Sequence, residues 1–316
     1  MKYNIGIDIG GMSIKFGLVN EMGEIVARDR IVTTKDQEKA VEEIAAVIEK
    51  LLSNNKLEIC DVGGIGIGCP GAVDSKTGKV IHLPNLGWGD FFLAEKLKKY
   101  FDTEIKISND VNVAALGEAK FGAAKDYNSS VMIAIGTGVG SGIIIDRKLF
   151  EGGHSRGAEI GHETLIMNGL QCTCGRRGCV ECYASATALI SQTKEEMMLN
   201  KNSKMWDFVA GDIDKVDGRT ALECSKLSDE SANKVVDNYI MYLGECLLNV
   251  FNVFRPDALI IGGGISAQGK YLTNKLKDYC EKFDYGYKNA PRTEIITAKL
   301  FNDAGIIGAA SLIEWE

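Results

Sequence analysis

The sequence predicts an α/β protein built as two similar halves facing each other across a cleft. Two β-prone runs joined by a glycine turn, residues 3–7 and 14–19, recur as residues 131–135 and 143–145, the mark of a duplicated unit. Short apolar runs of strand length alternate with segments of helical spacing along the rest of the chain. At 316 residues the chain is about two domain lengths, enough for two cores.

The elements follow in order. Residues 3–7 and 14–19 form a hairpin around Asp8-Ile9-Gly10-Gly11-Met12-Ser13, and a third strand runs from Glu24 to Arg30. Val41, Ile44, Ala45, Ile48, Leu51 and Leu52 give residues 36–53 one apolar helical face. Asp61–Gly68 reads as a buried strand stopped by Cys69-Pro70-Gly71. A helix over 90–100, a strand over Glu104–Ser108 and a helix from Asn112 to Phe121 complete the first half. In the second half, helices are predicted over 183–200 and 229–254, the latter stopped by Arg255-Pro256-Asp257. A buried strand over Ala258–Ile261 leads to Gly262-Gly263-Gly264 and a helix starting at Ser266; an apolar helix over Ala304–Ile313 closes the chain. With no low-complexity linker, the halves interdigitate.

Composition narrows the function. Hydrophobic residues at 45% and charged residues at 25% are globular averages, and the mean hydropathy of −0.03 comes with no run able to span a bilayer. A net charge of −7 with scattered Lys and Arg does not make a nucleic-acid surface. No secretory signal is legible at the N-terminus, which leads us to expect a cytoplasmic protein. Nine cysteines, four of them between 172 and 182, point to metal rather than a disulfide framework.

Three glycine turns follow apolar strands: Gly10-Gly11, Gly136 to Gly142 and Gly262 to Gly264. Glycine lets backbone N–H groups approach and cradle an anion, with phosphate the natural occupant; each turn alone equally serves a tight hairpin. Neither the P-loop nor the dinucleotide spacing is met. Asp8, beside the first turn, either holds Mg²⁺ against phosphates or caps the turn. Asp110, between a strand and a helix, either takes a proton from a substrate hydroxyl that Asn109 orients or caps the helix.

His162, Cys172, Cys174 and Cys179 form an imidazole and three thiols spaced for a closed, structural zinc site. Cys182 reads as packing. Glu159 and Glu181 flank the cluster, either as ligands of sugar-like hydroxyls or as solvated acids. His82 and His154 read as loop residues.

DIGGMSIK (8–15), NDVN (109–112), IGTGVGSG (135–142), GAEIGH (157–162), CTCGRRGCVE (172–181) and IIGGGIS (260–266) together resemble the ROK family of sugar kinases and related repressors, over the whole chain. The resemblance implies the actin/hexokinase-like ATPase fold: two lobes of duplicated ribonuclease-H-like sheet, with ATP, Mg²⁺ and a hexose meeting in the cleft between them. It implies a smaller lobe of residues 1–112 plus 303–316 and a larger one of 113–302 carrying the zinc loop and a dimer surface. Asp110 becomes the base for the sugar's primary hydroxyl. Gly71, Asn85, Asn109, Glu159, His162 and Glu181 grip the sugar, with one His162 nitrogen on zinc and the other toward a hydroxyl. Gly10, Gly11, Ser13, Gly136, Thr137, Gly138, Gly263 and Gly264 hold the nucleotide phosphates. Family members usually carry Thr where this chain has Met12, with Ser13 the neighbouring hydroxyl.

Glucose is the leading substrate by family frequency. N-Acetylmannosamine, N-acetylglucosamine, allose, fructose and β-glucosides suit the same residues, since specificity lies in pocket shape. A non-catalytic sugar-sensing regulator is the competing reading. Its DNA-binding segment would precede the kinase fold, and the first strand here begins near residue 3. A homodimer is expected, closed two-fold pairs being the commonest assembly.

Overall fold

The computed structural model describes residues 2–83, 85–286 and 291–315. Strand β1 (Tyr3–Ile9) turns through Gly10-Gly11 into β2 (Ser13–Asn20), and β3 (Ile25–Val32) pairs antiparallel on its far side. Helix α1 (Gln37–Asn54) starts at Asp36, whose carboxylate accepts the N–H groups of Glu38 and Lys39, a cap worth about 1 kcal/mol. Its buried face is the predicted one, Val41, Ile44, Ala45, Ile48, Leu51 and Leu52. β4 (Val62–Cys69) runs parallel to β1, and its glycines let the C-terminal helix over Ala304–Ala310 pack flush on the sheet: a Cβ on Gly66 would lie 1.7 Å from the Ala309 carbonyl oxygen.

A small antiparallel sheet, β5 (Ala72–Asp74), β6 (Lys79–Leu83) and β7 (Trp88–Phe91), follows; sequence periodicity did not reveal it because its strands are only three to five residues long. Its third strand takes the start of the helix expected over 90–100, which shrinks to α2 (Leu93–Leu97) because buried Trp88 and Phe91 hold that stretch extended. His82 lies in β6 rather than in a loop. β8 (Glu104–Asn109) adds parallel to β4 and runs directly into α3 (Asp110–Lys120).

β9 (Ser130–Ile135), β10 (Val139–Ile145) and β11 (Lys148–Phe150) repeat the opening three strands. The helix expected over 183–200 is broken by extended Ser185 into α4 (Glu181–Ala184) and α5 (Ala186–Leu199), with Ser185 capping the second. α6 (Lys204–Phe208), α7 (Thr220–Lys226) and the long α8 (Glu230–Phe254) follow. β12 (Ala258–Gly262) ends at the triple glycine, and a 3₁₀ turn over Gly264–Gln268 occupies the place predicted for a helix start. α9 (Lys270–Phe283) begins beyond it, followed by β13 (Glu294–Thr297) and α10 (Ala304–Ala310).

The two large sheets have orders β3-β2-β1-β4-β8 and β11-β10-β9-β12-β13. Reading β9 for β1 and β10 for β2 makes the second order the same as the first, the duplication that the glycine turns announced. The chain divides into two compact units, Met1–Ser130 with Gly142–Ala158 and Lys299–Glu316, and Val131–Ser141 with Glu159–Ala298. In the first, Ile5, Ile7, Phe16, Ile65 and Ile67 bury the sheet against α1. In the second, α8 buries Val235, Tyr239, Leu243, Leu247 and Phe251.

Candidate active site

In the first unit, Asp8, Gly10, Gly71, Asn109 and Asp110 lie at the carboxyl ends of β1, β4 and β8, where open α/β sheets bind ligands. Asn109 is the N-cap of α3: its Oδ1 accepts the N–H of Val111 at 2.9 Å and of Asn112 at 3.3 Å, and its Nδ2 donates to the Gly71 carbonyl at 3.1 Å. Asp110 is therefore the first helical residue rather than the cap, and the helix starts two residues before the predicted Asn112. Its Oδ1 accepts the Val111 N–H at 2.9 Å. Burial, and after it the nearby Asp110 charge, pushes the Cys69 thiol above its ordinary range, so Cys69 is a neutral wall. Gly71 sits at φ +78°, and a Cβ there would lie 2.5 Å from the His82 carbonyl oxygen, so only glycine closes this turn. Asn85 stands exposed in the turn between β6 and β7.

Asp8 faces Lys15 across the hairpin, with Nζ 2.9 Å from Oδ2. The turn beyond is held by Gly10 N–H on the Ser13 carbonyl and Thr33 Oγ1 on the Gly10 carbonyl. Met12 is 85% exposed and Ser13 is 8% exposed, so the first side chain stands in solvent and the second is turned inward.

In the second unit, Gly136-Thr137-Gly138 joins β9 to β10. The Thr137 carbonyl accepts Thr187 Oγ1 at 2.8 Å and the Gly136 carbonyl accepts the Ala186 N–H at 3.0 Å, tying the turn to the start of α5. Gly263, at φ +76°, lies against the Ile135 carbonyl. Beyond their chain neighbours, Gly11, Gly136 and Gly264 each have no atom within 4 Å of where a Cβ would stand, so each of the three turns has an open glycine.

Glu159 is exposed and precedes the 3₁₀ turn Ile160–His162, which is anchored by the Ile160 N–H on Ser141 Oγ at 3.0 Å. His162 Nδ1 lies 3.8 Å from Cys172 Sγ, and Cys174 Sγ lies 3.7 Å from Cys179 Sγ. The four donor atoms all fall within 4.8 Å of one another. A tetrahedral zinc site with Zn–S near 2.3 Å separates its sulfurs by about 3.8 Å, so these residues fit zinc. Burial works to raise the Cys172 thiol, but hydrogen bonds from Cys174, Cys179 and His162 bring it down to about 7; burial and the neighbouring thiols push Cys179 up to about 12. Cys182 stands outside the four, with Sγ 3.7 Å from the Gln171 carbonyl.

Glu181, the first residue of α4, connects these parts. Its Oε2 accepts the Val139 N–H at 3.1 Å beside Gly138, and its Oε1 lies 3.9 Å from Cys172 Sγ. Sequence reasoning missed the supporting residues. Arg176 donates to the His162 carbonyl and to Thr164 Oγ1, both at 2.9 Å, and clips the cysteine loop to the histidine. Its only sequence signal is its place inside CGRRGC.

Two sheets of one duplicated plan, each ending in open glycine turns, make up the actin/hexokinase-like fold, an architecture that sugar kinases use. The model of the ROK family matches residues 4–316, and the chain belongs to the ROK family; it is an ATP-dependent sugar kinase. A glucokinase of Halalkalibacterium halodurans is 35% identical over 319 residues, 99% of this chain and 95% of the relative. The crystal structure of a ROK family glucokinase from Streptomyces griseus in complex with glucose and AMPPNP superposes with TM-score 0.81 at 31% identity, covering 98% of this chain and 99% of that one. A xylose repressor of Bacillus spizizenii is 30% identical over 98% of this chain and 77% of the repressor. Among the described residues, no helix is long and apolar enough to cross a membrane.

Proposed function

We propose that the chain transfers the γ-phosphoryl group of ATP to the primary hydroxyl of a hexose, glucose in the first instance, with Asp110 as the base. The observation that carries this reading is the division of labour at the β8–α3 junction. Asn109 supplies the N-cap and the contact to Gly71, which places Asp110, whose Oδ1 also accepts the Val111 N–H, as the first helical residue just past the carboxyl end of β8, where open α/β sheets bind ligands.

Phosphoryl transfer needs the hydroxyl aligned and its proton accepted while the phosphate charge is held. Gly71, Asn85, Asn109, Glu159, His162 and Glu181 orient the sugar; Asp110 takes the proton. His162 suits both of its tasks because Nδ1 faces the thiols, leaving Nε2 as the nitrogen for a hydroxyl. The turns at Gly10-Gly11, Gly136-Thr137-Gly138 and Gly263-Gly264, with Ser13, hold the phosphates; the Gly10 and Gly136 N–H groups close their own turns, on the Ser13 and Gly138 carbonyls, and shape the cradles rather than donate to the ligand. Asp8 is the carboxylate that would hold Mg²⁺, which neutralises phosphate charge when bound. Zinc on His162, Cys172, Cys174 and Cys179 would be structural, its four positions filled by protein.

The test is ADP release with MgATP across glucose, fructose, allose, a β-glucoside, N-acetylglucosamine and N-acetylmannosamine, with Asp110→Asn as control. Turnover strongest with glucose and lower by about a hundredfold or more in the variant supports the reading. Preference for another sugar replaces glucose, and full turnover in Asp110→Asn removes the base assignment. Similarity to the repressor favours a second reading, a sugar-responsive regulator; it predicts binding to operator DNA at physiological salt and no turnover.

A further inference from the structure

A carboxylate that no sugar or phosphate role uses lies at the base of the loop leading to Glu159. Glu151 Oε1 accepts Ser108 Oγ at 2.5 Å, and its Oε2 accepts Ser75 Oγ at 2.6 Å. Ser155, on the same loop, adds a third strand to the knot: its Oγ lies 2.7 Å from Ser75 Oγ and accepts the Ser75 N–H at 3.2 Å. Ser108 is 1% exposed and directly precedes Asn109 and Asp110; Ser75 follows the short strand that begins next to Gly71.

The loop is shaped to bring the carboxylate there. The Gly157 N–H donates to the Glu151 carbonyl at 2.8 Å, and Gly152 and Gly157 face each other so closely that a Cβ on either would lie within 2.8 Å of the other. His154 and Ser155 between them hold φ values of +56° and +54°, a conformation that costs energy in L-residues and persists where surroundings enforce it. Hydrogen bonds to an ionised acceptor are the stronger kind, and a single carboxylate here ties the end of β8, the hairpin after Gly71 and the 151–157 loop.

We infer that Glu151 is a positioning residue of the kinase: through Ser108 and Ser75 it sets the register of Asn109-Asp110 against the Gly71 turn and so the seat of the sugar hydroxyl. The inference rests on the sugar-side roles proposed above for Gly71, Asn109 and Asp110, and acts on them indirectly, since Glu151 contacts serines.

The experiment compares Glu151→Ala and Glu151→Gln with the parent chain by amide hydrogen exchange and by steady-state kinetics on the best sugar. In Glu151→Ala, exchange quickens at residues 108–112 and 71–75 while α1 and α8 keep their protection. The sugar KM rises about tenfold or more and the ATP KM stays within twofold, because displacement of the acceptor by a fraction of an ångström is felt at the reacting group. Glu151→Gln, which keeps one acceptor and adds a donor that a serine oxygen can accept, restores most of both. Unchanged exchange at residues 108–112 overturns the inference, as does loss of protection throughout with both KM values moving together. Should the parent chain turn over no sugar, the proposed function falls and the exchange result alone decides the clasp. If Glu151→Ala does not fold, Ser75→Ala reads the same changes at smaller size.

Discussion

The backbone N–H of Val139 donates to Glu181 Oε2 across 3.1 Å, binding the glycine turn after β9 to the first residue of the helix that follows the cysteine loop. The contact is close enough that a Cβ on Gly138 would lie 2.1 Å from the same oxygen. The other oxygen of Glu181 faces Cys172. One acid thus links the candidate metal cluster to a candidate phosphate turn, and damage to either end is expected to reach the other.

Glu181→Ala leaves the Val139 N–H without its acceptor, a loss of about 1–3 kcal/mol. The KM values for sugar and for ATP are both expected to rise about tenfold, while Glu181→Gln, which still accepts from Val139, raises the sugar KM alone. Initial-rate measurements on the two variants distinguish these patterns; an ATP KM untouched in Glu181→Ala would separate the turn from the acid.

Metal analysis of the purified protein is expected to find about one zinc per chain, lost in Cys174→Ser. Thiol ligands bind zinc as thiolates, so metal affinity falls as the pH is lowered and protons compete. Chelator titrations at pH 6 and pH 8 should release zinc more readily at the lower value, with a drop in melting temperature. Equal release at both would point away from thiolate ligation.

Asp229 caps α8 from a buried position, accepting Ser203 Oγ and the N–H groups of Lys204 and Ala232, each at 2.8 Å. Burial works to raise its carboxyl, but these hydrogen bonds outweigh it and hold the group below the usual carboxylate range. A lowered folded pKa contributes stability above the unfolded value near 3.9 that is lost as pH falls through the folded value. Asp229→Asn is therefore expected to cost about 2 kcal/mol at pH 7, with the difference between variant and parent shrinking below pH 4. Denaturant melts across that range check the sign.

Met12 stands in the first glycine turn beside Ser13, and its side chain is in solvent. Met12→Thr is expected to lower the ATP KM by about threefold to tenfold, the worth of one added hydrogen bond, with the sugar KM unchanged. An ATP KM that does not move would assign the phosphate contact to Ser13 and the backbone.

How much could be read in advance varies with the range of the interaction. The opening hairpin, the helical face of α1 and the repeat of the glycine turn were legible because each depends on neighbours within a few residues. The β5–β7 sheet was not, since strands of three to five residues carry too little alternation to stand out. Nor was the break at Ser185, where the break is an extended residue that caps α5 within a stretch of continuous helical composition.

The chain's residues alone carry the duplicated α/β plan, the family and the set of donors His162, Cys172, Cys174 and Cys179, because these reside in local periodicity and in motifs of contiguous residues. Tertiary structure decided which of Asn109 and Asp110 caps α3, which backbone group Glu181 holds, and that Glu151 meets Ser75 and Ser108. The Glu181 and Glu151 contacts join residues tens of positions apart, and the capping choice at Asn109 is fixed by its bond to the Gly71 carbonyl, so no local pattern of residues encodes them.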